Sequence, residues 1–319
     1  MKAVVYDRYG GPEVLQLSDI DLPEPAKGQI RVRVLASAVN LSDWEYLVGS
    51  PLWVRMIGGL FSPKVPVLGS DIVGLVDKLG AGVSGFEIGQ RVMGDYVMTR
   101  GGFAEYACVP ANETVVVPDA LSDEVAACLP QAGGIAVAGT ADLQQGARFL
   151  INGAGGGSGT MALQLAKAAG AYVTAVDNKK KVAWLKTLGA DEVIDYHKFN
   201  FTEVGREWDK ILDMVATRGP AEISRVLAEG GDYMALGGGV PTLLALVLGG
   251  RFCSRNHSIG MLLVPSGRAL TKSVAQLAVE GKIAPHLEEV LPLSSVPEAL
   301  LRTGQGDVLG KIVIKHRLT

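Results

Sequence analysis

Gly153, Gly156 and Gly159 fall at G-x-x-G-x-x-G spacing within Ile151-Asn152-Gly153-Ala154-Gly155-Gly156-Gly157-Ser158-Gly159-Thr160. An apolar run, Phe149-Leu150-Ile151, precedes them and Met161-Ala162-Leu163-Gln164-Leu165-Ala166-Lys167 follows, so the stretch reads strand, glycine turn, helix. In that context each glycine has a job: one permits the tight turn, one lets a pyrophosphate approach bare backbone, and one lets the helix pack close to the sheet. Free amides at the helix start, with the positive end of its dipole, favour phosphate oxygens. The chemistry implied is dinucleotide binding by Gly153, Gly155, Gly156, Gly157, Ser158 and Gly159; the alternative is a flexible glycine loop.

Downstream, Thr174-Ala175-Val176-Asp177 is followed by Asn178-Lys179-Lys180-Lys181. An acidic residue about 20 positions past such a turn can take the ribose 2′-hydroxyl of NAD, whereas a nearby basic residue can accept the 2′-phosphate of NADP. Both are present. Asp177 speaks for NADH; the lysines speak for NADPH, because a phosphate gains charge-assisted hydrogen bonds from them. The alternative for each lysine is the solvation of a helix start.

Positioning these groups requires an alternation of strands and helices, and the chain shows one from about residue 120. Strand candidates at 147–152, 171–176, 191–195, 209–215, 231–236 and 252–259 enclose helical candidates at 158–169, 180–188, 219–228 and 241–249. Ala162, Leu165, Ala166 and Ala169 recur at helical spacing and give the first helix one apolar face. The pattern predicts a doubly wound parallel sheet, with its ligand beyond the carboxyl ends of the strands. Before it the chain is β-rich: Ile30–Ala36 alternates apolar and polar, Ile72–Val76 is β-branched, and turn clusters such as Gly80-Ala81-Gly82 separate the runs. After it, a helix over Leu270–Glu280, a helix start at Pro297–Arg302 and a strand at Gly310–Ile314 rejoin the first part. The expected organisation is an α/β chain with a β-rich domain, 1–119 and 262–319, and an inserted nucleotide-binding domain, 120–261.

The 319 residues suffice for two cores, and 48% hydrophobic with 20% charged residues is ordinary globular composition. A formal net charge of −3 gives no reason to expect nucleic acid or an anionic membrane as partner. The three cysteines, Cys108, Cys128 and Cys253, are isolated, which fits a reducing compartment and a cytoplasmic chain. Met1–Tyr6 reads as a first strand, and the longest apolar run, Val240–Gly250, falls short of the roughly 20 residues a membrane span needs.

Taken together, Ala38-Val39-Asn40-Leu41-Ser42-Asp43-Trp44, Val67-Leu68-Gly69-Ser70-Asp71-Ile72-Val73-Gly74, Gly89-Gln90-Arg91-Val92 and Gly102-Phe103-Ala104-Glu105-Tyr106 are diagnostic in order and spacing. With the Gly153–Gly159 turn, Leu188–Tyr196 and Gly310-Lys311-Ile312-Val313-Ile314, they make the whole chain resemble the medium-chain dehydrogenase/reductase superfamily. Within it the chain is similar to the zinc-free quinone oxidoreductase-like reductases. The resemblance implies a Rossmann-type sheet inserted in a GroES-like catalytic domain. It further implies that Asn178, Lys180 and Tyr196 surround a 2′-phosphate, that Val215, Leu236 and Gly237 lie towards the nicotinamide, and that Asn40 and Lys311 also contact the cofactor. NADPH is thus the expected cofactor, with NADH left open by Asp177.

Zinc-dependent relatives carry a Cys where this chain has Asn40 and Gly-His-Glu where it has Gly69-Ser70-Asp71; a later ligand position reads Ala132. A catalytic zinc needs three protein ligands, and His197, His257, His286 and His316 are scattered. No metal is expected. Without a Lewis acid, hydride transfer calls for an acceptor that is already activated, such as a quinone or an α,β-unsaturated carbonyl. Donors for the developing oxyanion would come from Asn40, Tyr46 and Ser70, with Asp43 a further candidate; Tyr46 reads more readily as an aromatic packed beside Trp44. The expectation is an NADPH-dependent quinone or enone reductase. The alternatives are an NADPH-binding sensor or structural protein with little turnover, and an alcohol dehydrogenase. The segment Pro51–Phe61 could roof an apolar substrate pocket or form core or a partner contact. Relatives dimerise around the last strand of the nucleotide domain, so Pro241–Gly250 followed by Arg251-Phe252-Cys253-Ser254 suits a homodimer.

Overall fold

Val32, Val34 and Ala36 turn inward while Arg31, Arg33 and Leu35 are only half-buried, a period of two that holds along strand Gln29–Ala38 of the computed structural model until its end, where Ser37 is buried with Ala36 and Ala38. The structure describes residues 1–253 and 256–316. It falls into two units, Met1–Gly134 with Ser266–Thr319, and Ile135–Pro265.

The first unit begins with strands β1 (Lys2–Val5), β2 (Gln16–Asp19) and β3 (Gln29–Ala38), followed by helices α1 (Leu41–Val48) and α2 (Leu52–Gly58). Strands β4 (Asp71–Leu79), β5 (Arg91–Asp95), β6 (Tyr106–Pro110) and β7 (Val115–Val116) then lead to α3 (Asp123–Ala127) and α4 (Pro130–Gly139). The second unit holds β8 (Arg148–Asn152), α5 (Gly157–Ala168), β9 (Tyr172–Asp177), α6 (Val182–Thr187), β10 (Glu192–Asp195) and β11 (Trp208–Asp213). It ends with α7 (Pro220–Ser224), β12 (Leu227–Ala235), α8 (Val240–Cys253) and β13 (Ser258–Met261). The chain then returns to the first unit through α9 (Arg268–Val279), β14 (Leu287–Pro292), α10 (Val296–Gly304) and β15 (Lys311–Lys315).

In the first unit β14-β15-β3-β4-β5-β7 form one sheet, with β6 also pairing to β3. The last strand of the chain is therefore seated against β3, with Val313 opposite Ala38. A core of Tyr6, Tyr46, Leu47, Leu68, Phe103, Leu300 and Ile312 packs α1 and α10 together. Gly304 makes this possible: a Cβ there would stand 2.3 Å from the Trp44 ring. The unit extends further than the expected boundary at residue 119, and resumes at Ser266 rather than 262. Its extension is explained by α3, which lies against β3 and β4 with Ala126 and Ala127 fully buried.

The second unit is a six-stranded, wholly parallel sheet in the order β10-β9-β8-β11-β12-β13. Strand order reverses between β8 and β11, the place where doubly wound sheets bind ligands, and the Gly153–Gly159 turn leaves β8 there. Register aligns Asn152 with Val176 on one side and Asp213 on the other, so these carboxyl ends form one row. The strand expected at 252–259 is shorter, because α8 stays helical through Cys253. Its glycines are used for close packing rather than as breakers, Gly250 against Ile259 and Gly249 against Pro220. Ser254 lies outside the described residues. The helix expected at 219–228 is only α7, because Leu227 already pairs with Trp208.

Candidate functional site

In the second unit the glycine turn has the form its spacing implies. Gly153 takes the left-handed conformation, φ +87°, and its amide donates to Val176 O. Gly159 lets α5 start directly on the turn, since a Cβ there would stand 2.4 Å from Gly153 O. The first-turn amides of Gly157, Ser158 and Gly159 have no carbonyl one turn earlier to receive them. They face the same end of the sheet as the row of strand ends, a cradle whose donors suit phosphate oxygens.

A closer constraint sits at Gly155. Its amide donates to Asp177 Oδ2 at 2.7 Å, and a Cβ would collide with Asp177 and with the stem of Lys181. Asp177 is buried; its Oδ1 accepts from Asn178 N and lies 3.4 Å from the buried Lys181 ammonium. The carboxylate is thus turned inward onto the glycine turn. Asn178 caps the next turn by accepting from Lys180 N, while Lys179 and Lys180 are exposed. Tyr196 N donates to Asp177 O, which brings Asn178, Lys180 and Tyr196 to one corner, with the Tyr196 ring tilted 40° against that of His197.

Asp213 is used in the same way. Its carboxylate accepts from Asn152 Nδ2, Val215 N, Ala216 N and Tyr233 Oη, all between 2.7 and 3.0 Å. It shapes the turn that presents half-exposed Val215 beside Gly153. Leu236 N donates to Asp213 O, and Gly237 packs so tightly on Met214 O that no side chain fits. Val215, Leu236 and Gly237 therefore converge at the ends of β11 and β12.

In the first unit Asn40, Ser70 and Lys311 meet in a buried polar network. Asn40 Nδ2 donates to Ser70 Oγ at 3.1 Å and to Asp71 Oδ2 at 2.9 Å. Its Oδ1 accepts from Lys311 Nζ, which also donates to Val39 O at 2.8 Å and lies 3.9 Å from Asp71 Oδ2. Both hydrogens of the Asn40 amide are therefore spent inside the network. Asp43, one turn into α1, accepts from Asn40 N and from Gly69 N. Gln131, unnoticed in the sequence, completes the network, donating from its amide to Asp71 and from its side chain to Ser70 and Asp95. Asp71 and Asp95 are cross-strand partners, a pairing that only the sheet register shows. Burial pushes Asp43 and Asp95 up to about 6, and raises Asp71 as well, with Asp95 beside it adding to the rise; Lys311 opposes all three. Buried Asp43 and Asp71 and half-buried Asp95, crowded around one ammonium, therefore hold their protons to a higher pH than free carboxyl groups do. Ala132, buried at the start of α4, offers no ligand. Among the described residues no group of three or more His, Cys, Asp or Glu is placed to hold a metal ion.

Tyr46 is 4% exposed and packed, its ring covered by the guanidinium of Arg100 at 3.8 Å from the centroid. Sequence reasoning missed Arg100; no motif marks it.

Two outcomes follow from this geometry. For the acids, a folded-state pKa above the unfolded value means stability fully present below about pH 4 and lost as pH rises through about 6. The melting temperature should fall between pH 5.5 and pH 8, and Asp95→Asn should raise it at pH 8 by roughly 2–6 °C and flatten the slope; an unchanged slope contradicts the proton-retaining network. For Asp177, Asp177→Ala frees the Gly155 amide and removes the carboxylate 3.4 Å from Lys181. Titration by fluorescence should show weaker binding of NADPH and NADH alike; a clean switch of preference between them contradicts the clamp.

Comparison with known proteins agrees with both units. Residues 26–119 match the family model of the alcohol dehydrogenase GroES-like domain, and residues 188–314 match that described as zinc-binding dehydrogenase. A chloroplast envelope quinone oxidoreductase homolog of Arabidopsis thaliana is 28% identical over 99% of this chain and 98% of its own length. The 2-methylene-furan-3-one reductase of Solanum lycopersicum is 31% identical over 98% of this chain and 79% of its own. The solved quinone oxidoreductase from Coxiella burnetii superposes with a TM-score of 0.90 at 29% identity, covering 99% of both chains. By its sequence, its two folds and these relatives, the chain belongs to the medium-chain dehydrogenase/reductase superfamily and is an oxidoreductase of the quinone oxidoreductase-like kind.

Proposed function

We propose that the chain is a zinc-independent reductase that uses NADPH to reduce a quinone or an α,β-unsaturated carbonyl. The observation that carries this reading is the content of the zinc-ligand positions. Asn40 and Ser70 are hydrogen-bonded to each other, Ala132 has no donor atom, and the Lys311 ammonium already bonds Asn40. A donor set with neither thiolate nor imidazole, beside a resident cation, does not fit Zn²⁺.

The glycine turn fits a dinucleotide, with the amides of Gly157, Ser158 and Gly159 taking the pyrophosphate. When bound, NADPH supplies the hydride, and the chain's own residues bind and orient it. Asn178, Lys180 and Tyr196 receive the 2′-phosphate and Val215, Leu236 and Gly237 flank the nicotinamide end. The commitment of Asp177 to Gly155 and Lys181 supports NADPH over NADH, since both its oxygens already accept backbone amides, from Gly155 and Asn178. Asn40 and Lys311 act first within their own network, and hold Ser70 and Asp71 in place. The acceptor must be activated because no Lewis acid polarises it; the name of the tomato relative includes such a conjugated ketone.

The internal commitment of Asn40 also favours a second reading, a protein that binds NADPH and turns over little. No helix among the described residues is long and apolar enough to cross a membrane. Exposed Leu244, Val247, Leu248 and Phe252 on α8 support a homodimer, and the free cysteines support a reducing, cytoplasmic setting. An assay of quinones, enones and simple ketones with both cofactors tests the proposal. Expected is turnover of quinones or enones with NADPH, at least tenfold better in kcat/KM than with NADH, unaffected by a chelator. Preference for simple ketones, or loss of activity with the chelator, contradicts it; tight NADPH binding without turnover selects the second reading.

A further inference from the structure

Among the described residues, six buried side-chain polar atoms lack a hydrogen-bond partner, and three of them lie on two successive residues: Thr99 Oγ1 and Arg100 Nε and Nη1. Arg100 is 4% exposed. Burying a guanidinium with open donors is costly unless something accepts from it. Asp43, the carboxylate whose pKa Arg100 helps to lower, spends its oxygens on Asn40 N and Gly69 N.

The backbone holds this arginine deliberately. Arg100 has φ +52°, a left-handed conformation in which a long side chain is uncommon. Thr99 N and Arg100 N both donate to Tyr96 O, at 3.0 and 2.6 Å. The turn is clamped at both ends to one segment: Tyr96 N donates to Ser70 O, Gly102 N to Gly69 O and Phe103 N to Leu68 O, all at 2.8–2.9 Å. That segment carries Ser70, so the turn is anchored to the Asn40–Asp71 network. The guanidinium lies on the Tyr46 ring, whose edge meets Gly58 of α2; a Cβ on Gly58 would stand 3.0 Å from it. Because guanidinium hydrogens point outward in the plane of the group, the stack fixes the direction of the open donors.

We propose that Arg100, stacked on Tyr46, binds the anionic oxygen of a planar ligand, and that this oxygen is the one that gains charge when a conjugated carbonyl is reduced. The second half rests on the function proposed above; the first does not. In this assignment Arg100 is the electrophilic donor that neither Asn40, with its hydrogens spent, nor packed Tyr46 supplies. A preorganised donor aimed at developing charge in a low-dielectric site is worth about two orders of magnitude in rate.

Benzoate, a planar carboxylate, is a probe for the site that needs no turnover. Calorimetric titration of the full chain should show one benzoate site, lost in Arg100→Met and weakened at least tenfold in Arg100→Lys, which keeps the charge but not the planar stack. In turnover with NADPH and 1,4-naphthoquinone, benzoate should compete with the quinone and not with NADPH. Arg100→Met should lower kcat/KM for the quinone about a hundredfold, with the KM for NADPH within twofold of the parent. Should Arg100→Met fail to fold, judged by its melting curve, Arg100→Lys and the competition pattern carry the test. Absence of benzoate binding to the parent chain, unchanged binding in the folded variant, or competition with NADPH overturns the site. If no quinone or enone is turned over but benzoate binding is lost in the variant, the site stands and the reductase reading fails.

Discussion

A buried ammonium cannot remain unsatisfied, and Lys311 carries one at 3% exposure in the last strand of the chain. It is met by Val39 O and Asn40 Oδ1, more than two hundred residues earlier, and by the nearby Asp71 carboxylate. This contact ties β15 to the entry of α1, and through Asn40 it fixes Ser70 and Asp71. Removing one partner from such a buried set leaves an uncompensated charge, at a cost of about 3–5 kcal/mol. The returning segment of the first unit is therefore part of its site and not an appendage.

Carboxylates do similar work in both units. Asp43 holds Gly69, Asp177 holds Gly155, and Asp213 holds Val215 and Ala216, each by accepting backbone amides of a turn. In each case an acidic residue that could be taken for a proton donor or a ribose ligand is spent on geometry. The functional surface left over is backbone and small side chains at the nucleotide turn, and in the first unit the open donors of Arg100. Rigid turns beside open amides are what a dinucleotide needs, because its phosphates gain most from donors that do not have to be reorganised.

The parallel sheet was legible because its glycine turn and alternating periods are local signals, and Gly153 and Gly159 have the turn and packing roles their spacing implies. The corner formed by Asn178, Lys180 and Tyr196 was readable through family resemblance. The inward orientation of Asp177 was not, since it depends on Lys181 and Gly155 meeting it in space. Gln131 and Asp95 were invisible for the same reason: cross-strand register and the start of α4 bring them to Asp71. Arg100 leaves no trace in the sequence, because its left-handed backbone is imposed by clamps on Leu68–Ser70 and not by its own residue type. The helix α8 was misjudged at its end because Gly249 and Gly250 resemble a stop signal, yet serve contacts to Pro220 and Ile259.

The central claim, hydride delivery from a nicotinamide to a conjugated acceptor without a metal, is tested most directly by following the transferred atom. NADPH deuterated at both C4 positions, incubated with the chain, an enone and a chelator, gives a product whose label can be located by NMR and mass spectrometry. The account predicts one deuterium on the β-carbon of the saturated ketone. A deuterium on the carbonyl carbon of an alcohol product, or a saturated product carrying none, would contradict it.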